Sequence, residues 1–357
     1  MNNKVIISVT NDLSTDQRVH KVCLTLKNMG CSVLLVGRKL KDSVEINREY
    51  DTHRIKLIFN SGPLFYLEYN LRLFFYILFK KIDFLYSNDL DTLLPNYLIS
   101  QFLNKKLVYD SHELFSELPE LQKRPIVKII WKYLESFLLP KQKYAITVSK
   151  SIADYYEKKY SIKMKVIRNV PFFVNSKKNN SSEKVIIYLG TINPGRGLEL
   201  AIKSMQYLKD HKLIILGDGK HLKNLKLISK NLGLDSRINF VGKVPYENLY
   251  EYTSKANIGL LLEEPLGLSF EYSLPNKLFD YIHLELPFIS SNLPEVKKII
   301  NTYKVGEILI DRSPKSLAHK ILNISKVDIE KYKTAKKELC WEKEKIILES
   351  IIRPLLK

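Results

Sequence analysis

Short unbroken apolar runs alternate with longer amphipathic stretches along the whole chain. Val5–Thr10 reads as a buried strand and Asn11–Asp16 as a polar turn. The spacing of Val19, Val22, Cys23, Leu26 and Met29 then predicts an amphipathic helix, stopped by Gly30. Ser32–Gly37 is a second buried strand. This is a βαβ opening, because strands covered by helices on both faces read as continuous apolar runs. Further strands are predicted at Arg54–Phe59, Phe84–Ser87, Lys106–Asp110, Tyr144–Val148 and Lys165–Ile167, with helices between most of them.

After a polar stretch, Asn175–Glu183, of linker character, the alternation restarts. Strands are predicted at Val185–Leu189, Lys212–Leu216, Ile238–Val241, Ile258–Leu262 and Phe288–Ser290. Helices fall at Leu198–Leu208, Leu222–Leu232, Tyr246–Ala256 and Asn276–Leu284. Trp341–Leu356 reads as a last amphipathic helix that could pack back across the first domain. At 357 residues the chain is too long for one core and suits two. The expected class is α/β: two doubly wound, Rossmann-like domains whose strand C-termini face a central cleft, where such sheets bind ligands. The boundaries read as 1–172, a linker 173–184, 185–335, and a terminal helix 336–357.

With 45% hydrophobic and 27% charged residues the chain folds and is not disordered. Its three cysteines, Cys23, Cys31 and Cys340, have no metal-ligand spacing, so neither a disulfide framework nor a zinc site is expected and a reducing cytoplasm fits. Met1–Lys4 runs directly into the first strand, which reads as no signal peptide. The net charge of +19 is spread over both halves but has dense patches. In Lys123–Lys143, six basic residues interleave with Ile126, Ile129, Ile130, Trp131, Tyr133 and Phe137, opposed only by Glu135. Leu64–Lys81 is rich in Phe, Tyr and Leu and ends in two lysines. Glu68 and Arg72 interrupt that segment and the other is too short to cross a bilayer. Both fit amphipathic helices on an anionic membrane surface; the alternative is a buried helix with a solvated basic face. No recognised nucleic-acid motif accompanies the charge, and the large aliphatics suit lipid better.

The chemistry gathers at a few loops. Ser273–Pro287 places Pro275 at a helix start, followed by Asn276, Lys277 and Asp280. Unpaired N–H groups and the positive dipole end of such a helix seat phosphate; Lys277 adds a full charge, and Asp280 offers two acceptors for ribose hydroxyls. An ordinary capped core helix is the alternative. Gly190–Gly197 follows a strand and precedes a helix, with Arg196 as a forked donor for diphosphate oxygens, though a simple βα turn reads equally well. Gly217-Asp-Gly219 ends the next strand and is open to the same reading. In the first half, Asp110-Ser-His-Glu113 ends a strand; His112 could bond a substrate hydroxyl or carry a proton, or be structural. Asn88, Asp89 and Asp91 end another strand, and Asp16 and Arg18 sit in the first βα turn. Asp89 and Asp91 read as turn and helix-cap residues, not as a metal pair.

Taken in order, these pieces resemble the GT-B-fold retaining glycosyltransferases of family 4. The resemblance rests on Tyr188-Leu-Gly190, Arg196-Gly197, Ile215-Leu-Gly-Asp-Gly219, Phe240-Val-Gly242, Ala256-Asn-Ile258, Leu274–Tyr281 and Leu286–Ile289. In the first half Asp16–Val19, Asp83–Asp91 and Val108–His112 occupy the matching places. It implies that Arg196 holds the donor diphosphate, Asp280 the ribose and backbone near Gly242 and Lys243 the base, with His112 beside the donor sugar. Two departures stand out. Thr191 replaces the first of two basic residues usual in that turn. The family's paired acids lie eight apart, yet eight before Asp280 is Tyr272, leaving Glu264, Glu271 or neither for the first acid.

The expected function is retaining transfer of a sugar from a UDP- or GDP-linked donor to a glycan, lipid-linked or otherwise, at the inner face of a bacterial membrane. His112, Arg196 and Lys277 form the expected catalytic set, and Gly190, Arg196, Gly217, Gly242, Lys243, Pro275, Asn276, Lys277 and Asp280 the donor set. Asp16, Arg18, Asn88 and Glu113 are candidates for the acceptor side. No cofactor, metal or nucleic acid is expected. The alternatives are a nucleotide-sugar epimerase, or a non-catalytic protein binding membrane or nucleic acid.

Overall fold

The computed structural model describes residues 3–174, 183–245, 248–324 and 328–356. The chain forms two compact units, Met1–Asn169 with Glu342–Lys357, and Val170–Trp341. Most of the expected linker lies outside the described residues.

The first unit is built on β1 (Lys4–Ser8), α1 (Gln17–Asn28), β2 (Ser32–Lys39), β3 (Asp51–Lys56), α2 (Gly62–Leu78), β4 (Phe84–Asn88) and α3 (Leu90–Phe102). It continues through β5 (Lys106–Ser111), α4 (Pro119–Gln122), α5 (Pro125–Leu138), β6 (Tyr144–Thr147), α6 (Lys150–Tyr160) and β7 (Lys165–Val166). All seven strands are parallel, in the order β3-β2-β1-β4-β5-β6-β7. The order reverses at β1 and β4, whose C-terminal ends carry the loops that begin at Val9 and Asp89. One strand is displaced from its expected place. Leu57–Phe59 leave the sheet because the Glu68 carboxylate, from α2, accepts the N–H groups of Ile58 (2.9 Å) and Phe59 (2.9 Å).

The second unit contains β8 (Lys184–Leu189), α7 (Leu198–Ser204), β9 (His211–Leu216), α8 (Leu222–Asn231), β10 (Ile238–Gly242), α9 (Leu249–Thr253) and β11 (Ile258–Leu261). Then come α10 (Leu268–Glu271), α11 (Asn276–His283), β12 (Phe288–Ser291), α12 (Pro294–Tyr303), β13 (Glu307–Leu309), α13 (Pro314–Asn323) and α14 (Ile329–Glu338). Its six parallel strands run β10-β9-β8-β11-β12-β13. β8 shows the logic: Val185, Ile187 and Leu189 enter one core with Leu278, Phe279 and Phe288, while Ile186 and Tyr188 enter another with Leu198, Ile202 and Leu213. The expected helix at Tyr246–Ala256 is reduced to α9, and residues 246–247 lie outside the described set.

α15 (Trp341–Ile352) follows. From Glu342 onward the chain belongs to the first unit, where Glu344 accepts the Arg168 backbone N–H (2.9 Å) and Nε–H (2.6 Å), and Lys106 Nζ donates to the Pro354 carbonyl (2.7 Å).

Candidate functional site

In the second unit, the C-terminal ends of β8, β9 and β10 each turn on a glycine. Gly190 N–H donates to Leu216 O (3.0 Å) and Gly217 N–H to Gly242 O (2.8 Å), which stitches the three loops side by side. Gly217 has a φ of +138°, and a Cβ there would sit 1.8 Å from the Gly190 carbonyl oxygen. Only glycine fits this crossing. Lys243 follows on the exposed side.

α11 arrives at the same edge. Pro275 occupies its N-cap in extended conformation, so the helix begins at Asn276. Leu278, Phe279, Tyr281 and Ile282 bury one face, and Tyr281 Oη donates to Leu260 O (3.1 Å) and Ile187 O (3.3 Å), tying the helix to β11 and β8. Lys277 is thereby held under the loop that follows β8. Its Nζ lies 3.9 Å from the Tyr188 ring centroid and 2.6 Å from Glu263 Oε1. Arg196 stacks over Phe270 at 4.7 Å and brings Nη1 to 3.6 Å from the same oxygen. Glu263 is fully buried, and neither of its oxygens, nor Lys277 Nζ, nor Arg196 Nε, has a well-directed hydrogen bond. Asp280 stands half-buried one turn beyond Lys277.

The backbone at Glu263 is clamped. Arg312 donates to Leu262 O (2.9 Å) and Glu263 O (3.4 Å), and bonds Ser291 Oγ. Gly197 packs so tightly on Leu262 that a Cβ would meet the Leu262 carbonyl oxygen at 2.2 Å. Glu264 turns outward to Arg312 at 3.6 Å.

In the first unit the end of β5 carries His112. Its backbone N–H donates to Asp89 Oδ1 (2.8 Å), its Nδ1 lies 3.3 Å from Asp89 Oδ2, and its Nε2 3.6 Å from Asp110 Oδ2. Burial disfavours the imidazolium, but Asp89 and Asp110 outweigh it and raise the His112 pKa to about 9. Asp110 is buried as well, yet Arg18 and His112 hold its carboxyl far below the usual range. Arg18 donates to both Asp110 oxygens (3.1 and 2.7 Å) and Tyr86 Oη to one of them (2.8 Å). Burial and the neighbouring Asp89 push Asp91 up to about 7 and Glu113 up to about 8.

The same unit carries an apolar surface. On α2, Leu64, Leu67, Leu71, Phe75 and Phe79 recur at helical spacing and are 51–81% exposed, opposite the buried Phe65, Tyr69, Leu73 and Ile77. α5 exposes Ile126, Ile129, Ile130, Tyr133 and Phe137, and α3, packed against both helices, exposes Leu98 and Phe102. Lys80, Lys81, Lys123, Arg124, Lys141 and Lys143 are exposed around them. Two expected basic contributors are diverted inward: Lys128 (3.0 Å) and Lys132 (2.9 Å) pair with Glu117. Glu135, expected to oppose the patch, is buried and accepts from Tyr160 Oη (2.6 Å). Among the described residues no helix is long and apolar enough to cross a membrane.

Two family models match the sequence: "Glycosyl transferases group 1" over residues 170–338 and "Glycosyltransferase Family 4" over residues 16–177. The chain belongs to the group 1, family 4 glycosyltransferases. Membership decides for a transferase over the epimerase and the non-catalytic alternatives. Solved structures share the GT-B fold over essentially the whole length. Sucrose-phosphate synthase from Thermosynechococcus elongatus is 15% identical, with 99% of each chain covered and a TM-score of 0.81. Anabaena HepE, solved in complex with UDP and glucose, is 13% identical, covers 99% of this chain and 100% of its own, and has a TM-score of 0.76. A glycosyltransferase from Rickettsia africae is 16% identical, with 100% and 99% covered and a TM-score of 0.73. No curated protein matches the sequence.

Within this glycosyltransferase, Gly190, Arg196, Gly217, Gly242, Lys243, Pro275, Asn276, Lys277 and Asp280 all lie in the loops and the helix start at one edge of the second sheet. The acceptor-side candidates fare differently. Arg18 and Asn88 are buried, Arg18 on Asp110 and Asn88 donating to Ser8 O (3.0 Å). Asp16 caps α1 by accepting the Val19 N–H (3.0 Å). Asp89 is no mere cap: at a φ of +56° it turns its carboxylate away from α3 and onto His112. The sequence carries no signal for Glu263 or Arg312; of the two adjacent acids, it offers Glu264 as the candidate.

Proposed function

We propose that this glycosyltransferase transfers a sugar, with retention, from a UDP- or GDP-linked donor to a lipid-linked glycan at an anionic membrane surface. The observation that carries the donor half is the convergence of Arg196 and Lys277 at the N-terminus of α11, with Asp280 one turn later. Lys277 supplies, from another element, the second positive charge that Thr191 does not. In this reading the cations and the helix N-terminus hold the diphosphate, and Asp280 the ribose. The protein's own positive charge, in this reading, stabilises the departing diphosphate. The UDP-bound structures of Anabaena HepE lend support to a nucleotide-diphosphate donor.

The step we assign follows from that charge. The bond from the anomeric carbon to the diphosphate oxygen breaks as the acceptor hydroxyl bonds to the same carbon on the same face. The acceptor's proton passes to the departing phosphate oxygen, so no protein base is required. His112, held as an imidazolium, is a hydrogen-bond donor in this scheme and takes no proton. The exposed apolar stripes with their rim of lysines support the membrane half, since such helices insert shallowly and add electrostatic attraction to anionic headgroups.

Calorimetric titration with UDP, GDP, ADP and CMP, without added metal, tests the donor site. One nucleotide is expected to bind selectively and to weaken in Asp280→Ala. Absence of binding to a folded protein would sink the reading.

A further inference from the structure

We infer that Glu263 is an internal counter-ion: in the donor-free protein it occupies the two cations assigned above to the donor diphosphate, and it gives them up when the donor binds. The inference rests on that assignment of Arg196 and Lys277.

The geometry is one of charge without directed bonding. A carboxylate out of water is costly unless it is paired and its lone pairs are used. Glu263 has the charge partners, at 2.6 and 3.6 Å, but neither oxygen receives a well-aligned hydrogen bond. Lys277, 7% exposed, is confined between this carboxylate and the Tyr188 ring, 3.9 Å from its centroid. A phosphate oxygen entering beside them would offer both cations what the carboxylate does not. The backbone that carries the acid has little freedom to move: Arg312 holds the carbonyls of Leu262 and Glu263, Gly197 is wedged against Leu262, and the Glu263 side chain is fully buried. The long side chains of Arg196 and Lys277 are therefore the parts that re-aim. Without Glu263 two like charges would converge in a partly dry site and repel. With it they are kept in place at a net charge of one, and the diphosphate must compete for them. Glu263 is thus a positioning residue that weakens the hold on the nucleoside diphosphate and helps the product leave.

The test is a titration of wild type, Arg196→Ala, Lys277→Met, Glu263→Gln and the Glu263→Gln/Lys277→Met double variant with UDP, GDP and ADP. Competition predicts that Glu263→Gln binds the selected diphosphate about tenfold tighter than wild type, since an uncompensated buried charge destabilises only the empty site. A purely structural role would not tighten binding. Lys277→Met should bind more weakly, and adding Glu263→Gln to it should recover part of the loss. That comparison still decides the matter if Glu263→Gln alone does not fold, because the double variant removes the pair together. Equal or weaker binding by Glu263→Gln, or a double variant as weak as Lys277→Met, overturns the inference. If wild type binds no diphosphate, or Arg196→Ala binds as well as wild type, the donor-site reading has failed and the counter-ion role falls with it.

Discussion

Asp89 holds His112 twice: one carboxylate oxygen accepts the histidine's backbone N–H at 2.8 Å, and the other lies 3.3 Å from its Nδ1. Asp89 reaches it only by taking a φ of +56°, a conformation that costs a non-glycine residue on the order of 1 kcal/mol. The outcome is a histidine whose pKa is raised to about 9, a cation across the neutral range.

Removing the charge of Asp89 should therefore uncover a pH dependence. In Asp89→Asn the His112 pKa should fall by roughly 1–3 pH units, the usual effect of one close opposite charge. The sign for stability follows from the raised value. The stabilisation is fully present below the unfolded histidine's ordinary pKa near 6.5 and is lost as pH rises through about 9. Wild type should accordingly lose stability between these values, and Asp89→Asn should lose less across the same window. NMR titration of His112 with unfolding curves from pH 6 to 10 measures both; an unchanged histidine pKa in Asp89→Asn would refute the pairing.

Arg196→Ala should lower turnover by about 10²–10³, or ~2.7–4 kcal/mol of transition-state stabilisation, with the fold retained. The side chain is on a loop, one quarter exposed, so its loss opens no core cavity. Near-normal turnover would remove Arg196 from the site.

Gly217→Ala should destabilise the second unit by roughly 1–3 kcal/mol, since the new Cβ meets a backbone oxygen that has no room to retreat and the positive φ adds strain. Gly233→Ala, where a Cβ meets nothing within 4 Å, is the control: it has a positive φ but no collision. Equal losses in thermal unfolding for the two would show that the close crossing at Gly217 contributes nothing.

Much of this architecture was legible because buried parallel strands are continuous apolar runs, and because Pro275 and the glycines after β8 and β9 mark turns in the chain itself. The site was legible where it depends on such markers: Lys277 follows from the helix start. It was not legible where it depends on one residue's parity or on a backbone angle. Glu263 and Glu264 are adjacent, yet the first is buried against two cations and the second, 40% exposed, faces Arg312. Nothing in the local sequence ranks one above the other, since all of β11 before them is buried and gives no alternation to count. Asp89 reads as a helix cap by position, and only its φ sends the carboxylate elsewhere. The last elements, α12 through α14 with β13, escaped because their apolar residues are sparse among lysines and acids. Arg312, which clamps the Glu263 backbone, lies among them.

The surface of α2 and α5 makes the last prediction. Burying an apolar stripe in a bilayer interface is worth ~25 cal/mol per Å² removed from water, and each nearby lysine adds ~1 kcal/mol at an anionic surface. The two terms separate experimentally. Phe75→Glu with Ile129→Glu should abolish co-sedimentation with vesicles of mixed neutral and anionic lipid at any salt concentration, because charge is placed in the middle of both stripes. Lys80→Gln with Lys81→Gln should weaken binding to the same vesicles by roughly tenfold or more at low salt, and much less at high salt, where the attraction is already screened. Phe75 and Ile129 are 57% and 66% exposed, so neither glutamate should disturb folding or nucleotide binding, which serve as the check on both variants. Binding that survives the glutamates would mean these stripes are not the membrane face. Binding lost in the lysine variant but kept in the glutamate one would make the association electrostatic alone.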